Sequence, residues 1–340
     1  MTRRGAAFWC GVGGMVASIA VAGCGGNQSM FNPQGPAADR IAFLGWMLLA
    51  VSGVVYVTVM AALTIALTRR RRDTDFSPQT TARLTRTVTL ASAATVTVLV
   101  GLAIVTFASS RGLNTPGVPG QLTVDVIGHQ WWWEFQYQSA SPQQIVSSPN
   151  ELHIPTGVRV VLRAASRDVI HSFWVPSLHG KRDLIPGQVT QMWIQADRAG
   201  VYRGQCAEFC GTQHARMAFL VIAEPPDQFA KWIHHQRQPS PPSDASAGGD
   251  VRRGHDVFMR GPCVTCHTIR GTDAGARVGP ELTHVASRKT LAAGTVPNTR
   301  EQLARWVVDA QSIKPGTRMP TIPLADADGR ALVAYLSSLQ

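Results

Sequence analysis

Cysteine is scarce in this chain, with six among 340 residues. Cys10 and Cys24 lie near the N-terminus, Cys206 and Cys210 in one short run, Cys263 and Cys266 in another. With these assigned as below, none remains for a disulfide framework. Charge is also thin, at 16% of residues, and lopsided: 32 Lys and Arg against 21 Asp and Glu, net +11. A basic balance suits nucleic acid, but no nucleic-acid motif is present and the arginines scatter or sit beside apolar runs. No nucleic-acid partner is expected, and no internal repeat is found.

Two long apolar runs, Ile41 to Leu67 and Thr87 to Ala108, carry no charge. Each exceeds the roughly 20 residues that cross a hydrocarbon core, so helices are expected at about 41–67 and 87–108. Between them Arg69–Arg72, Arg83 and Arg86 outnumber Asp73 and Asp75, which puts this loop in the cytoplasm and everything after the hairpin outside. Many Gly, Ala, Thr and Ser residues in both runs suit packing against an integral partner. Ahead of them Arg3-Arg4, an apolar stretch and Val21-Ala22-Gly23-Cys24 read as a secretory signal over 1–23. The cysteine after Ala-Gly resembles a lipobox, which would make Cys24 a lipidated N-terminus and a second anchor.

Within a domain expected over 111–236, residues 116–225 alternate apolar and polar in short runs, such as Gln121–Ile127, Arg159–Leu162 and Val189–Ile194, punctuated by Gly and Pro. This predicts an all-β sandwich or barrel, closed by a helix to about 236. Residues 237–249 are a Pro/Ser/Gly linker by composition. A second domain spans 250–340, with helices expected at Val251–Met259 and Ala325–Leu339.

Two runs carry chemistry. In Cys206-Ala-Glu208-Phe-Cys210-Gly-Thr-Gln-His214-Ala-Arg-Met217, thiols, an imidazole and a thioether lie close enough for one loop to wrap a metal. Such donors suit a soft, redox-active metal, copper above all. A disulfide or a structural zinc site is the plainer alternative, although zinc rarely recruits methionine. Cys263-Val-Thr-Cys266-His267 is the CxxCH signature of c-type haem attachment. Its thiols match the haem vinyl groups, and the next residue offers an imidazole to iron. Met319 in Gly316-Thr-Arg-Met319-Pro is the expected sixth ligand. Met259, on the helix just before the attachment site, lies too near to cross the haem face.

The Cys206 loop, with Asp168-Val-Ile-His171-Ser-Phe-Trp upstream and Gly128-His-Gln-Trp131-Trp132-Trp133 before that, resembles subunit II of the haem–copper cytochrome c oxidases over roughly residues 40–225. The C-terminal domain resembles a class I cytochrome c. Together they imply a caa-type subunit: a multi-domain membrane protein with a two-helix transmembrane hairpin (24–110), a cupredoxin-like domain and an all-α cytochrome c domain. The resemblance implies a binuclear copper centre, CuA, bridged by Cys206 and Cys210. His171 and Met217 would complete one copper, His214 and the Glu208 carbonyl the other. The Glu208 carboxylate would reach a magnesium ion shared with subunit I. Trp131 would be the electron-entry residue, although the family often has tyrosine where Trp132 stands. One departure concerns protons: the family often carries a glutamate at the cytoplasmic start of the second membrane helix, whereas residues 77–90 hold no Asp or Glu.

The expected role is electron acceptance in a terminal oxidase, from a cytochrome c or a quinol–cytochrome c reductase complex, through haem c and CuA to an oxygen-reducing subunit I beside subunit III. The chain would sit in the bacterial cell membrane with both soluble domains on the periplasmic side. Rival readings are a CuA-bearing subunit of a nitric oxide reductase and an anchored copper/haem redox lipoprotein without a catalytic partner. Asp168 and Asp183 lie where the resembled family has polar contacts to the catalytic subunit, with an ordinary turn or strand carboxylate as the plainer alternative for each. His129, His153, His179, His234, His235, His255 and His284 read as surface or structural.

Overall fold

A computed structural model describes residues 26, 28–69, 77–113, 121–240 and 248–340. The leader, its Cys24 and Arg70–Arg72 fall outside these. Two long helices, α1 (Pro36–Thr68) and α2 (Pro78–Leu113), account for one unit from Asp39 onward. At 1.5 Å per residue each is about 50 Å long, well beyond the roughly 30 Å hydrocarbon core. The charge-free runs mark only the apolar centre of each helix, and the ends continue into polar turns. Hydroxyls within these helices turn back to the carbonyl four residues earlier, as Thr58 Oγ1 does to Val54 O (2.8 Å) and Thr95 Oγ1 to Ala91 O (3.0 Å). This satisfies them where no water is at hand. Large apolar side chains such as Phe43, Tyr56, Leu67 and Phe107 are exposed, as expected of surfaces meant for lipid or another helix.

The second unit carries both soluble domains. Its first half is a sandwich of two five-stranded sheets built from β1 (Thr123–His129), β2 (Trp132–Tyr137), β3 (Val146–Pro149), β4 (Glu151–Pro155), β5 (Val160–Ser166), β6 (His171–Trp174), β7 (Arg182–Leu184), β8 (Thr190–Ile194), β9 (Gly200–Cys206) and β10 (Ala218–Glu224). One sheet has the order β3-β2-β1-β5-β8, the other β4-β10-β9-β6-β7. The alternation that marks strands in the sequence is the alternation of burial: Trp133, Phe135 and Tyr137 of β2 point inward, while Trp132, Glu134 and Gln136 point out. Trp133, Phe173 and Phe219 stack in the middle of the core. Helix α3 (Pro226–Gln236) closes the sandwich, its Trp232 ring lying 3.9 Å from that of His153.

The second half is helical: α4 (Gly249–Arg260), α5 (Arg300–Val308), a single turn α6 (Ala310–Ile313) and α7 (Asp326–Ser338), with one two-residue strand pair, β11 (Thr290–Leu291) and β12 (Val296–Pro297). Helices α4 and α7 pack together through Phe258 and Tyr335. Thr299 caps α5 by accepting from Gln302 N.

The two halves are joined by more than a linker. Glu151 Oε1 accepts from Lys289 N at 2.6 Å, and Ala218 N donates to Ala293 O at 3.0 Å. Arg216 donates to Ile313 O at 2.7 Å, and Gln213 donates to Pro315 O. Arg318 Nη2 reaches Gln130 Oε1 at 2.7 Å, and Lys314 Nζ reaches Trp131 O at 2.7 Å. A domain held only by a tether would show none of these contacts.

Candidate metal and haem centres

Strand β6 ends one side of the metal loop, and β9 and β10 hold its two ends in register. Cys206 N donates to Met217 O (2.9 Å) and Ala207 N to Ser172 O (2.9 Å), pinning the loop to both strands. The loop brings the six residues singled out in the sequence around one point. Cys206 Sγ lies 3.8 Å from Cys210 Sγ, 3.8 Å from His171 Nδ1 and 3.1 Å from Glu208 O. Cys210 Sγ lies 3.6 Å from His214 Nδ1 and 3.8 Å from Met217 Sδ. His171, Cys206 and Cys210 are buried and offer ligand atoms within 4.8 Å of one another. The Glu208 carboxylate points elsewhere, to a half-exposed pairing with Lys181 at 3.5 Å.

The donor set fits copper. Two thiols, two imidazole Nδ1 atoms and a thioether are soft or borderline donors, joined by one harder backbone carbonyl and no carboxylate. The two histidines lie on different thiols, His171 beside Cys206 and His214 beside Cys210, so the donors would have room to hold more than one metal ion. The two thiols share one charge: their mutual hydrogen bond, with help from His171 and backbone N–H groups, pulls Cys206 well below the ordinary thiol range, and pushes Cys210 above it.

Residues outside the loop orient it, and the sequence did not single them out. Asp168 Oδ1 pairs with His171 Nε2 at 2.9 Å, which leaves Nδ1 free to face the sulfurs. Burial works against this pair, but the Asp168 bond and the nearby Cys206 hold the His171 pKa above its usual value. Asp168 also accepts from Gln130 N and Val169 N. Ser172 Oγ donates to Asp183 Oδ1 at 2.7 Å. Gly128 is needed for space, since a Cβ there would sit 2.7 Å from His171 Cδ2. The sequence signals for Asp168 are its place three residues before His171, a spacing common in any turn, and a family position of polar contacts to the catalytic subunit. Neither points to a partner for the His171 ring.

Trp131 and Gln130 approach the loop from the other side. Trp131 Nε1 and Gln130 Nε2 both donate to Cys210 O, each at 2.9 Å. Trp131 also lines a cavity in the helical half, together with Cys263, Cys266, His267 and Met319. Its apolar walls include Phe258, Leu282, Val285 and Leu332. Met259 packs into the helical core instead. His267 Nδ1 lies 2.7 Å from Pro280 O, so the ring donates there and turns Nε2 free; burial, above all, lowers its pKa and keeps the ring neutral. A Cβ at Gly279 would stand 2.7 Å from His267 Cε1. Two adjacent thiols, a neutral imidazole of fixed tautomer and a thioether around one apolar cavity fit a covalently held haem. His153 and His284 are structural, the latter bonded to Gln340 O and Gln238 O.

A soft-metal loop on a β-sandwich, a c-type haem fold beside it and two membrane-length helices define a membrane-anchored redox subunit with two centres. Comparison with known proteins assigns the family. Residues 139–224 match the family "Cytochrome C oxidase subunit II, periplasmic domain", and residues 251–340 match "Cytochrome c". The cytochrome c oxidase subunit 2 of Alkalihalophilus pseudofirmus is 32% identical over 95% of this chain and 94% of its own length. That of Bacillus subtilis is 33% identical over 64% of this chain and 62% of its own length. Among solved structures, the periplasmic domain of subunit II of cytochrome oxidase of Bradyrhizobium japonicum is 27% identical, with a TM-score of 0.33, covering 36% of this chain and 96% of that one. The chain belongs to the cytochrome c oxidase subunit II family and carries a fused cytochrome c domain.

Proposed function

We propose that the chain is the electron-accepting subunit of a caa-type terminal oxidase. Electrons would arrive from a cytochrome c or a quinol–cytochrome c reductase complex at haem c, move to CuA and leave to subunit I, which reduces oxygen beside subunit III. In this reading His171, Cys206, Cys210, His214, Met217 and the Glu208 carbonyl hold copper. Cys263 and Cys266 hold haem, His267 and Met319 ligate its iron, and Trp131 stands at the electron entry. When bound, a two-copper centre spreads one charge over two metals, and a His/Met haem is a mild oxidant. The protein's own part is rigidity. Strands β6, β9 and β10 fix the loop, Asp168 fixes the His171 ring, and Pro280 O fixes that of His267.

The observation that carries the reading is Trp131. Its indole donates to the carbonyl of Cys210, and the same residue lines the cavity of Cys263, Cys266, His267 and Met319. One residue thus touches both candidate centres. The same reading has a Glu208 carboxylate that trades Lys181 for magnesium at the contact with subunit I. It also has a chain in the bacterial cell membrane with a signal over 1–23, a lipidated Cys24, a hairpin over 24–110 and both soluble domains (111–236 and 250–340) on the periplasmic side.

The test is the copper-to-haem ratio of the full chain, produced with c-type haem maturation and copper. Two coppers for each haem are expected, both lost in Cys206→Ser while haem stays. One copper or none beside intact haem would defeat the binuclear centre.

A further inference from the structure

Lys314 is an unexpected residue to find sealed inside the molecule, at 2% exposure. Its Nζ donates to Trp131 O at 2.7 Å and to Ala292 O at 3.2 Å. Both acceptors are neutral carbonyls, and an ammonium group has three donors. No carboxylate acts on it. The charged groups that do are the Cys210 thiol, which favours the cation, and Arg216, which opposes it. Burial dominates and lowers the Lys314 pKa to about 7. A buried ammonium without an anion is costly enough that such groups are nearly always paired.

Lys314 lines the cavity that also holds Cys263, Cys266, His267 and Met319. Arg288 lines it too, but that guanidinium donates to Glu281 O and feels both Glu151 and Glu281. Arg318 reaches Asp168 at 3.8 Å. Lys314 is therefore the cation of the cavity wall, among the described residues, that lacks an anionic partner. A haem bound through two thioethers brings two carboxylates on the edge away from those bonds.

We propose that Lys314 is the binding site of a haem carboxylate, so that one ammonium group joins the haem edge to the backbone of Trp131. The inference rests on the haem reading above and names a contact that reading does not contain. Lys314 is then a positioning residue: it completes its third hydrogen bond only when haem is in place. It ties the haem's acidic edge to the residue that touches Cys210. It also follows that the two halves of the unit dock more firmly with haem attached than without.

The experiment compares Lys314→Met and Lys314→Arg in the full chain with haem and copper loaded. A cation beside haem disfavours the oxidised, more positive form. Its removal in Lys314→Met should shift the haem's oxidised-to-reduced ratio about tenfold towards oxidised, about 59 mV lower for one electron. Lys314→Arg keeps the charge and should stay within about twofold. The long-wavelength absorption band of methionine-ligated ferric haem should persist in both, which a general loosening of the fold would not permit. A potential unmoved in Lys314→Met, with that band intact, overturns the proposal. Should Lys314→Met fail to load haem, infrared difference spectra of the unsubstituted chain carrying carboxyl-labelled haem decide. A carboxylate band resistant to hydrogen exchange is expected, and bands of two solvated carboxylates overturn the assignment. Absence of covalent haem from the unsubstituted chain would instead overturn the haem reading itself, and this proposal with it.

Discussion

Replacing Asp168 by Asn removes a charge and almost nothing else, so it isolates what a carboxylate outside the loop does for the metal. Asp168 Oδ1 accepts from His171 Nε2 at 2.9 Å and from Val169 N at 2.8 Å, and Oδ2 accepts from Gln130 N at 2.7 Å. In Asn one of these oxygens becomes an NH2 donor, so either His171 or Gln130 loses its acceptor. Burial raises the Asp168 pKa, yet these three donors, His171 foremost, hold it down to about 2 against the ordinary 3.8. With the side chain 15% exposed, a shift of that size corresponds to about 2 kcal/mol. That equals roughly a 30-fold change in an equilibrium constant, inside the 10- to 100-fold range for a group that orients a metal ligand. Copper affinity measured by chelator competition at neutral pH should therefore fall about 30-fold in Asp168→Asn. Because the native pKa is depressed, the contribution is fully present above about pH 4 and fades as pH falls towards 2. Acid unfolding of the metal-free chain should accordingly separate the two proteins only above that window. Copper affinity within threefold of the unsubstituted chain would refute the reasoning.

Two further predictions concern space and ligation. Gly128→Ala places a methyl group 2.7 Å from His171 Cδ2, and His171 cannot yield because it is fully buried. Copper loading should fall at least tenfold while the haem spectrum stays unchanged, and normal loading would show that β1 shifts freely. Met319→Ala should keep haem attached through Cys263 and Cys266 but lose the methionine–iron band and lower the haem potential, read by absorption during redox titration. Retention of that band would place another residue on the iron.

Periodicity made the elements legible. The expected helices at 251–259 and 325–339 correspond to α4 and α7 within two residues at each end, because their apolar faces pack on each other. The alternation at Val189–Ile194 is β8. The membrane helices run longer than their apolar cores because hydropathy marks where lipid lies and not where hydrogen bonding stops. The candidate donors come together as the sequence suggests because most of them share one loop: Cys206 to Met217 is a single short stretch, which the strands bring against His171. Groups that orient the loop were not legible. Asp168 is only three residues from the His171 ring it holds, but that spacing is common, and its bond with Gln130 N spans 38 residues. Gln130 reaches Cys210 O across 80 and Lys314 meets Trp131 across 183. A lysine in a Pro/Gly turn looks like a solvated cation until the fold closes over it.

The contact between the two halves shows why its geometry escapes a reading of the sequence and why it holds nonetheless. On the haem side the partners are mostly backbone atoms: Lys289 N, Ala293 O, Ile313 O and Pro315 O. Backbone partners leave no residue-type signature, so composition reveals only the Pro/Ser/Gly linker and suggests free tethering. A tether of that length supplies an effective concentration near millimolar, equivalent to about 4 kcal/mol of association free energy. Six of the hydrogen bonds that join the sandwich to the haem domain, those of Glu151, Ala218, Arg216, Gln213, Gln130 and Trp131 named above, at about 1 kcal/mol each, already correspond to a dissociation constant on the order of tens of micromolar. The docked state then outweighs the free one by more than tenfold before any haem contact is added. Such a margin is large enough to hold Trp131 against the haem cavity and small enough to depend on a single buried ammonium. On the proposed reading, Lys314 and not the linker would then set where the haem edge lies relative to Trp131.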